Sequence, residues 1–222
     1  MKHLPKELEI LHEDRDIIVI NKPEGLLTMA TERERENTAY FLLTDYVRKG
    51  NPKSNNRIFI VHRLDRETSG VLIFAKTEQA KHFLQENWQN FSKKYVAVVH
   101  GRMNEKEGII ESYLAENQNY RVYSVNNATK GKYSKTGYRV LKENEKFSLL
   151  EIALFTGTKN QIRVHFSENG HPVAGDKTYG TAEKGIKRLA LHSMFVSFMH
   201  PYTKKEINFK TEIPRYFYEL TR

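Results

Sequence analysis

The segment VHRLDRETSG, residues 61–70, places His62, Arg63, Asp65, Arg66 and Glu67 between the β-rich RIFI and the apolar VLIFAKT. Charge between buried flanks is costly unless it is paired, which makes this segment a candidate for chemistry. Asp65 could act as a nucleophile, an acid/base group or a metal ligand. A nucleophilic carboxylate must be ionised, and a nearby cation lowers its pKa. Arg63 and Arg66 are adjacent in sequence, but on an extended chain they need not point the way Asp65 does. A more distant arginine is the better partner. The competing reading is a buried ion pair or a loop-capping aspartate.

A second dense stretch is TGTKNQIRVHFSENGHPVAGDKTYG, residues 156–180, where Arg163 and His165 interrupt Ile162, Val164 and Phe166. An arginine in such a pattern pairs with a carboxylate or phosphate, or else snorkels to solvent. A third stretch, residues 117–139, has no Asp or Glu but carries Arg121, Lys130, Lys132, Lys135 and Arg139, interleaved with Tyr120, Tyr123, Tyr133 and Tyr138. Cations with aromatics suit phosphates and unstacked bases; the alternative is a solvated hairpin whose tyrosines pack inward. His62, His100, His165, His171, His192 and His200 are scattered without HxH or HExxH spacing, so no metal site is expected.

The whole chain supports an anionic partner. Its 222 residues carry 36 Lys and Arg against 27 Asp and Glu, a net charge of +9. With no cysteine there is no disulfide framework, thiolate chemistry or zinc–sulfur site. The opening MKHLPKELEI lacks the apolar run of a secretory signal. No stretch reaches the ~20 apolar residues of a membrane span. The expectation is a soluble, cytoplasmic, monomeric protein with no membrane partner.

These residues need elements to hold them. ELEILHEDRDIIVINKPEGLL predicts two short strands around a polar turn, closed by Lys22-Pro23-Glu24-Gly25. Thr28 to Asn37 reads as a loop, and Thr38 to Lys49 as a helix ending at Gly50. RIFIVH is expected to be a strand. Thr77 caps a helix with Ala80, Phe83, Leu84 and Trp88 on one face. KKYVAVVHG and IIESYLAE are strands, and residues 138–155 form a hairpin around Glu143 to Lys146. Thr158 to Asn169 reads as a helix stopped by Gly170, and RLALHSMFVSF and EINFKTEIP supply the last strands. Many strands with few intervening helices predict an α+β fold with a mixed, mostly antiparallel β-sheet core and flanking helices. No GxGxxG or P-loop pattern appears.

In this order the segments resemble the RluA-type family of RNA pseudouridine synthases. VHRLDRETSGVLIFAKT resembles the family signature H-R-L-D-x-x-T-S-G. DIIVINKPEGLL resembles its opening strand and Asn-Lys-Pro-x-Gly turn. KKYVAVVHG resembles its Lys-x-Tyr strand, TGTKNQIRVHFSENGHPVAGDKTYG its Gln-Ile-Arg-Val-His helix and G-D-x-x-Y-G, and RLALHSMFVSFMHPYT its R-x-x-L-H strand and His-Pro. One departure is that Thr158, Lys159 and Asn160 stand where the family commonly has Arg-Thr-His.

The resemblance implies a single pseudouridine synthase catalytic domain over residues 1–222 with a central cleft, and no separate N-terminal RNA-binding domain. It implies isomerisation of specific uridines in structured ribosomal or transfer RNA, with no cofactor and no metal. Asp65 is the nucleophile by this match, and attack at ribose C1′ or at base C6 are both open to it. Tyr95 would stack on the detached uracil and help remove the C5 proton. Arg163 would keep the nucleophile charged and aimed. Among substrate-binding positions, Arg63 would fill the stack vacated by a flipped uridine, His62 would support the loop, Leu191 would wall the base, and Lys130 and Lys132 would meet backbone phosphates. Two other readings compete: a catalytically inactive RNA-binding protein on the same fold, and a metal-dependent hydrolase.

Overall fold

A computed structural model of the chain describes residues 8–51, 53–181, 183 and 185–222. The first seven residues of the polar opening segment, read above as no secretory signal, lie outside these. The chain forms two compact units, each assembled from separate stretches: residues 1–91 with 195–211, and residues 92–194 with 212–222.

In the first unit, β1 (Glu9–Glu13) and β2 (Ile17–Lys22) form an antiparallel hairpin. β2 pairs antiparallel with β4 (Ser69–Ala75), and the two-residue β3 (Phe59–Ile60) lies on β4. Every residue of β4 is buried, including Ser69 at its start, and the apolar run Val71–Ala75 predicts this for most of it. The later part of β10 (Leu191–Met199) pairs with β11 (Glu206–Lys210). Helix α1 (Ala39–Arg48) starts at Thr38, whose hydroxyl accepts from the Phe41 amide, and α2 (Glu78–Glu86) starts at Thr77, which accepts from Ala80. Such caps are worth about 1 kcal/mol each. The core joins Ile17, Val19, Val71 and Ile73 to Ala80, Leu84 and Phe91, and it takes Val196 and Phe198 from the distant strand.

The second unit is a run of antiparallel ladders: β5 (Ser92–His100) on β9 (Phe147–Leu154), β9 on β8 (Lys132–Glu143), β8 on β6 (Glu107–Glu116), and β6 on β7 (Val122–Val125). The β8–β9 hairpin turns at Asn144–Lys146, where the Asn144 side chain accepts from the amides of Lys146 and Phe147. Helix α3 (Gln161–Glu168) contributes Val164 to a small core with Leu114, Val122 and Tyr179. Helix α4 (Arg215–Leu220) buries Phe217 against Val96, Val98 and Leu149. The fold is thus α+β, with mostly antiparallel strands and few helices. Several boundaries differ from expectation; the last strand, for one, ends at Lys210 rather than reaching Pro214. The strand expected over RIFIVH is only Phe59–Ile60, and α3 begins at Gln161 rather than Thr158.

Candidate active site

The first unit holds Asp65 on a loop fixed from both sides. β2 ends at Lys22, and the chain turns through Gly25, whose φ of +79° needs a residue without Cβ strain. Lys22 is fully buried, and its ammonium donates to the carbonyls of Pro23 (2.9 Å), Leu26 (2.7 Å) and Arg66 (3.2 Å). The Gly25 amide donates to Arg66 O at 2.9 Å, and Arg66 Nε donates to Gly25 O at 2.9 Å. On the other side of Asp65, the buried Thr28 hydroxyl donates to Leu64 O at 2.8 Å and accepts from Leu64 N at 3.1 Å. Both flanks of Asp65 are therefore pinned to the 22–28 turn. The Asp65 side chain stays partly exposed and Arg63 is exposed. His62 supports the loop: its Nε2 accepts from the Ile73 amide at 3.1 Å, and its ring lies 4.5 Å from that of Trp88.

Lys22 went unread in the sequence except as part of a turn signal. The available clue was a lysine two residues after the unbroken apolar run IIVI, near the end of a buried strand, where a charge needs partners. Burial pushes its pKa down to about 7, against the pull of Asp65 and Glu24. The unfolded chain, titrating near 10.5, then binds more protons than the native state between about pH 7 and 10.5, so this group makes stability rise with pH across that window. In urea titrations, Lys22→Met is expected to be less stable than the wild type, because three carbonyls lose their donor. The gap should widen as pH rises from about 7 towards 10. A constant or narrowing gap would contradict the depressed lysine.

The second unit holds Tyr95, Arg163 and Leu191. Tyr95 is a buried residue of β5 opposite Ile152. Leu191, also buried, opens β10 just after Ala190, whose carbonyl accepts from Val98 N. Arg163 donates from Nε to Asp176 Oδ2 at 2.7 Å and from Nη2 to Oδ1 at 2.8 Å, and Nη1 reaches Asn160 Oδ1 at 3.3 Å. Its guanidinium lies 5.1 Å from the Tyr179 ring centroid. Burial opposes the charge on Asp176, yet Arg163 and the Tyr179 and Thr178 amides hold its carboxyl below the usual range. Arg163 does not snorkel: its side chain is almost wholly buried. The sequence showed the arginine but not this partner, which lies 13 residues on within the Gly-Asp-x-x-Tyr-Gly stretch.

Helix α3 is itself tied to β8. Gln161 donates to Lys135 O and Thr136 Oγ1, and accepts from Thr156 Oγ1 and the Thr158 amide. His165 sits between Thr136 (2.9 Å) and Ser112 (3.1 Å), and burial lowers its pKa to about 4, so it is neutral at pH 7. In the departure from the family pattern, Lys159 turns to Glu116 and the Tyr120 carbonyl, and Asn160 takes a left-handed φ of 54°.

Lys130 and Lys132 are exposed, and so are Tyr120, Tyr123 and Tyr133 beside them. Inward packing holds only for Tyr138, which meets Phe166 edge-on. Among the described residues, Asp14, Asp16 and His200 bring possible metal-ligand atoms within 4.8 Å of one another. His200 Nδ1, however, accepts from the Tyr202 and Thr203 amides, which leaves Nε2 protonated and donating to Asp14 at 2.9 Å. A metal would have to displace that proton, so the group is a clasp between two turns of the first unit. No described helix is long and apolar enough to cross a membrane.

Comparison with known proteins agrees with this layout. Residues 16–168 match the family described as RNA pseudouridylate synthase. An uncharacterized RNA pseudouridine synthase of Mycoplasma genitalium is 37% identical over 208 residues, which cover 91% of this chain and 66% of that protein. The ribosomal large subunit pseudouridine synthase D of Zymomonas mobilis is 32% identical, over 94% of this chain and 70% of its own. The chain thus spans about two-thirds of the length of such relatives. The solved structure of human RNA pseudouridylate synthase domain containing 1 superposes with a TM-score of 0.75 at 25% identity, over 96% of this chain and 87% of that one. With the signature loop, the Lys-x-Tyr strand and the Gln-Ile-Arg helix all within the matched span, the chain belongs to the RluA-type family of RNA pseudouridine synthases, enzymes that isomerise uridine in RNA.

Proposed function

We propose that this chain converts specific uridines of structured RNA to pseudouridine, with Asp65 as nucleophile. The observation that carries this is the partly exposed carboxylate on a loop whose two flanks are locked by buried Lys22 and Thr28. A reacting group held in place before substrate arrives loses little entropy at the reaction. Tyr95 serves as the aromatic platform and proton acceptor, Arg163 as the cation that keeps the nucleophile ionised, and Leu191 as an apolar wall. Arg63, exposed and planar, fills the gap left by the flipped uridine. Ribosomal RNA is the favoured target, because relatives named for the large ribosomal subunit align along nearly the whole chain. Lys130 and Lys132, flanked by exposed tyrosines, hold the RNA backbone.

The test is chemical mapping of pseudouridine in ribosomal RNA incubated with the purified protein, with and without a chelator. We expect new pseudouridine at defined positions, unchanged by the chelator. No conversion of ribosomal or transfer RNA would leave only an RNA-binding protein, and loss of activity in the chelator would revive the hydrolase reading. Repeating RNA binding over a salt series with Lys130→Gln/Lys132→Gln should give weaker binding and a shallower slope, by roughly 0.7–0.9 per lost phosphate contact. An unchanged slope would return those lysines to a solvated hairpin.

A further inference from the structure

We infer that the first unit carries a second RNA contact: a basic, aromatic-lined pocket that takes a single-stranded nucleotide flanking the target uridine. This rests on the RNA reading above. The pocket is a cavity of about 1050 Å³ lined by Arg15, Tyr46, Lys49, Arg57, Phe59 and Lys76, among others. Its size is at the upper end of small-molecule pockets, roughly 300–1,000 Å³.

Three features fit a nucleotide. The first is charge. The lining holds four cations and one acid, Glu13, and that acid is already engaged. Glu13 Oε1 accepts from Lys76 at 2.7 Å and Oε2 accepts from the Tyr46 hydroxyl at 2.9 Å. Arg15 and Lys49, both exposed, are left to face an incoming anion. The second is shape. The Arg57 guanidinium lies 4.7 Å from the centroid of the Phe59 ring, so a planar cation and a partly exposed aromatic present a surface on which a base can stack. The third is hydrogen-bonding capacity. The lining includes the exposed Asn55, whose amide offers a donor and an acceptor to a base edge, and Asn56, whose Nδ2 already donates to Val47 O at 3.4 Å and whose Oδ1 can accept. A phosphate, a flat ring and a polar edge together describe a nucleotide better than a bare anion.

The position fits a flanking contact. The β2–β4 ladder pairs Lys22 with Gly70 near the Asp65 loop, and Ile17 with Ala75 next to the pocket residues Arg15 and Lys76. Five steps along a strand span roughly 17 Å. The pocket therefore serves RNA beyond the target nucleotide and not the target itself.

The test uses the full chain and a 12-nucleotide oligouridylate carrying 4-thiouridine. After irradiation, we expect a cross-link on the peptide bearing Tyr46 or Phe59, found by mass spectrometry. Arg15→Glu/Lys49→Glu should abolish it, weaken oligonucleotide affinity about tenfold at low salt, and lower the salt slope by roughly 1.4 for two lost single-strand contacts. Cross-links found only elsewhere, or an unchanged slope, would overturn the proposal. So would full competition by free uridine monophosphate, which would assign the pocket to a free nucleotide. Cross-linking needs no conversion, so a chain that cross-links here without making pseudouridine would sink the functional reading and leave this pocket standing.

Discussion

Asp65→Asn is expected to bind RNA as well as the wild type and to convert uridine at least about 10⁴-fold more slowly, a loss of roughly 5.5 kcal/mol in transition-state stabilisation. The size follows from the chemistry: without a carboxylate no covalent step opens at C1′ or C6. The preserved binding follows from the loop. Its shape is set by main-chain contacts of Leu64 and Arg66 with Thr28, Gly25 and Lys22, and by the Thr68 amide donating to the Asp65 carbonyl at 3.1 Å. The Asp65 carboxylate makes none of these bonds, and an isosteric amide should leave them intact. Removing the carboxylate also withdraws a charge that favours protonated Lys22, so the pKa of that lysine should fall further. Equal pseudouridine yields from the two proteins would remove Asp65 as nucleophile. Equal loss of binding and conversion would make it a binding residue.

Arg163→Met is expected to abolish most conversion, by about 10²–10³-fold, and to destabilise the fold by about 3–5 kcal/mol. The second effect arises because Asp176, with no exposed side-chain surface, loses the guanidinium that holds two of its oxygens. Stability and catalysis must therefore be separated. Arg163→Met/Asp176→Asn removes the stranded charge, and we expect it to regain much of the stability, measured by urea unfolding, and none of the turnover. Recovery of both would make the arginine a packing residue. Arg163→Lys keeps a charge but loses the fork, and should fall between wild type and Met in stability.

Much of the fold could be read from local patterns that physical chemistry makes strong. Thr77 announced its helix because a hydroxyl is the cheapest partner for a free first-turn amide, and the helix after Thr38 showed in its apolar spacing and its stop at Gly50. The turn at Asn144–Lys146 was visible because polar residues separate two apolar alternations. The start of α3 was not, because Gln161 reaches back to the Thr158 amide and Asn160 adopts a left-handed backbone, which periodicity does not report. RIFIVH looked like a strand by composition, but only two residues find a partner on β4. In the site, Asp65 stood out within a charged segment between apolar flanks, and Arg163 as a charge among apolar neighbours. Their supports did not. Lys22 contacts Arg66 across 44 residues and Thr28 contacts Leu64 across 36, and side-chain–backbone pairs at that separation leave no periodic trace.

The division of β10 between the two units has a consequence for synthesis. The core around Ile17, Val19 and Ile73 lacks Val196 and Phe198 until those residues leave the ribosome, and β11 follows later still. At roughly 5–20 residues per second the delay after Phe91 is some 5–20 s. During that time β2, β4 and the Asp65 loop exist with an unfinished apolar face. The nascent chain at this stage suits a holding chaperone that covers apolar faces, whereas the Asp65 loop, pinned by residues 22–28, has its own supports from the start.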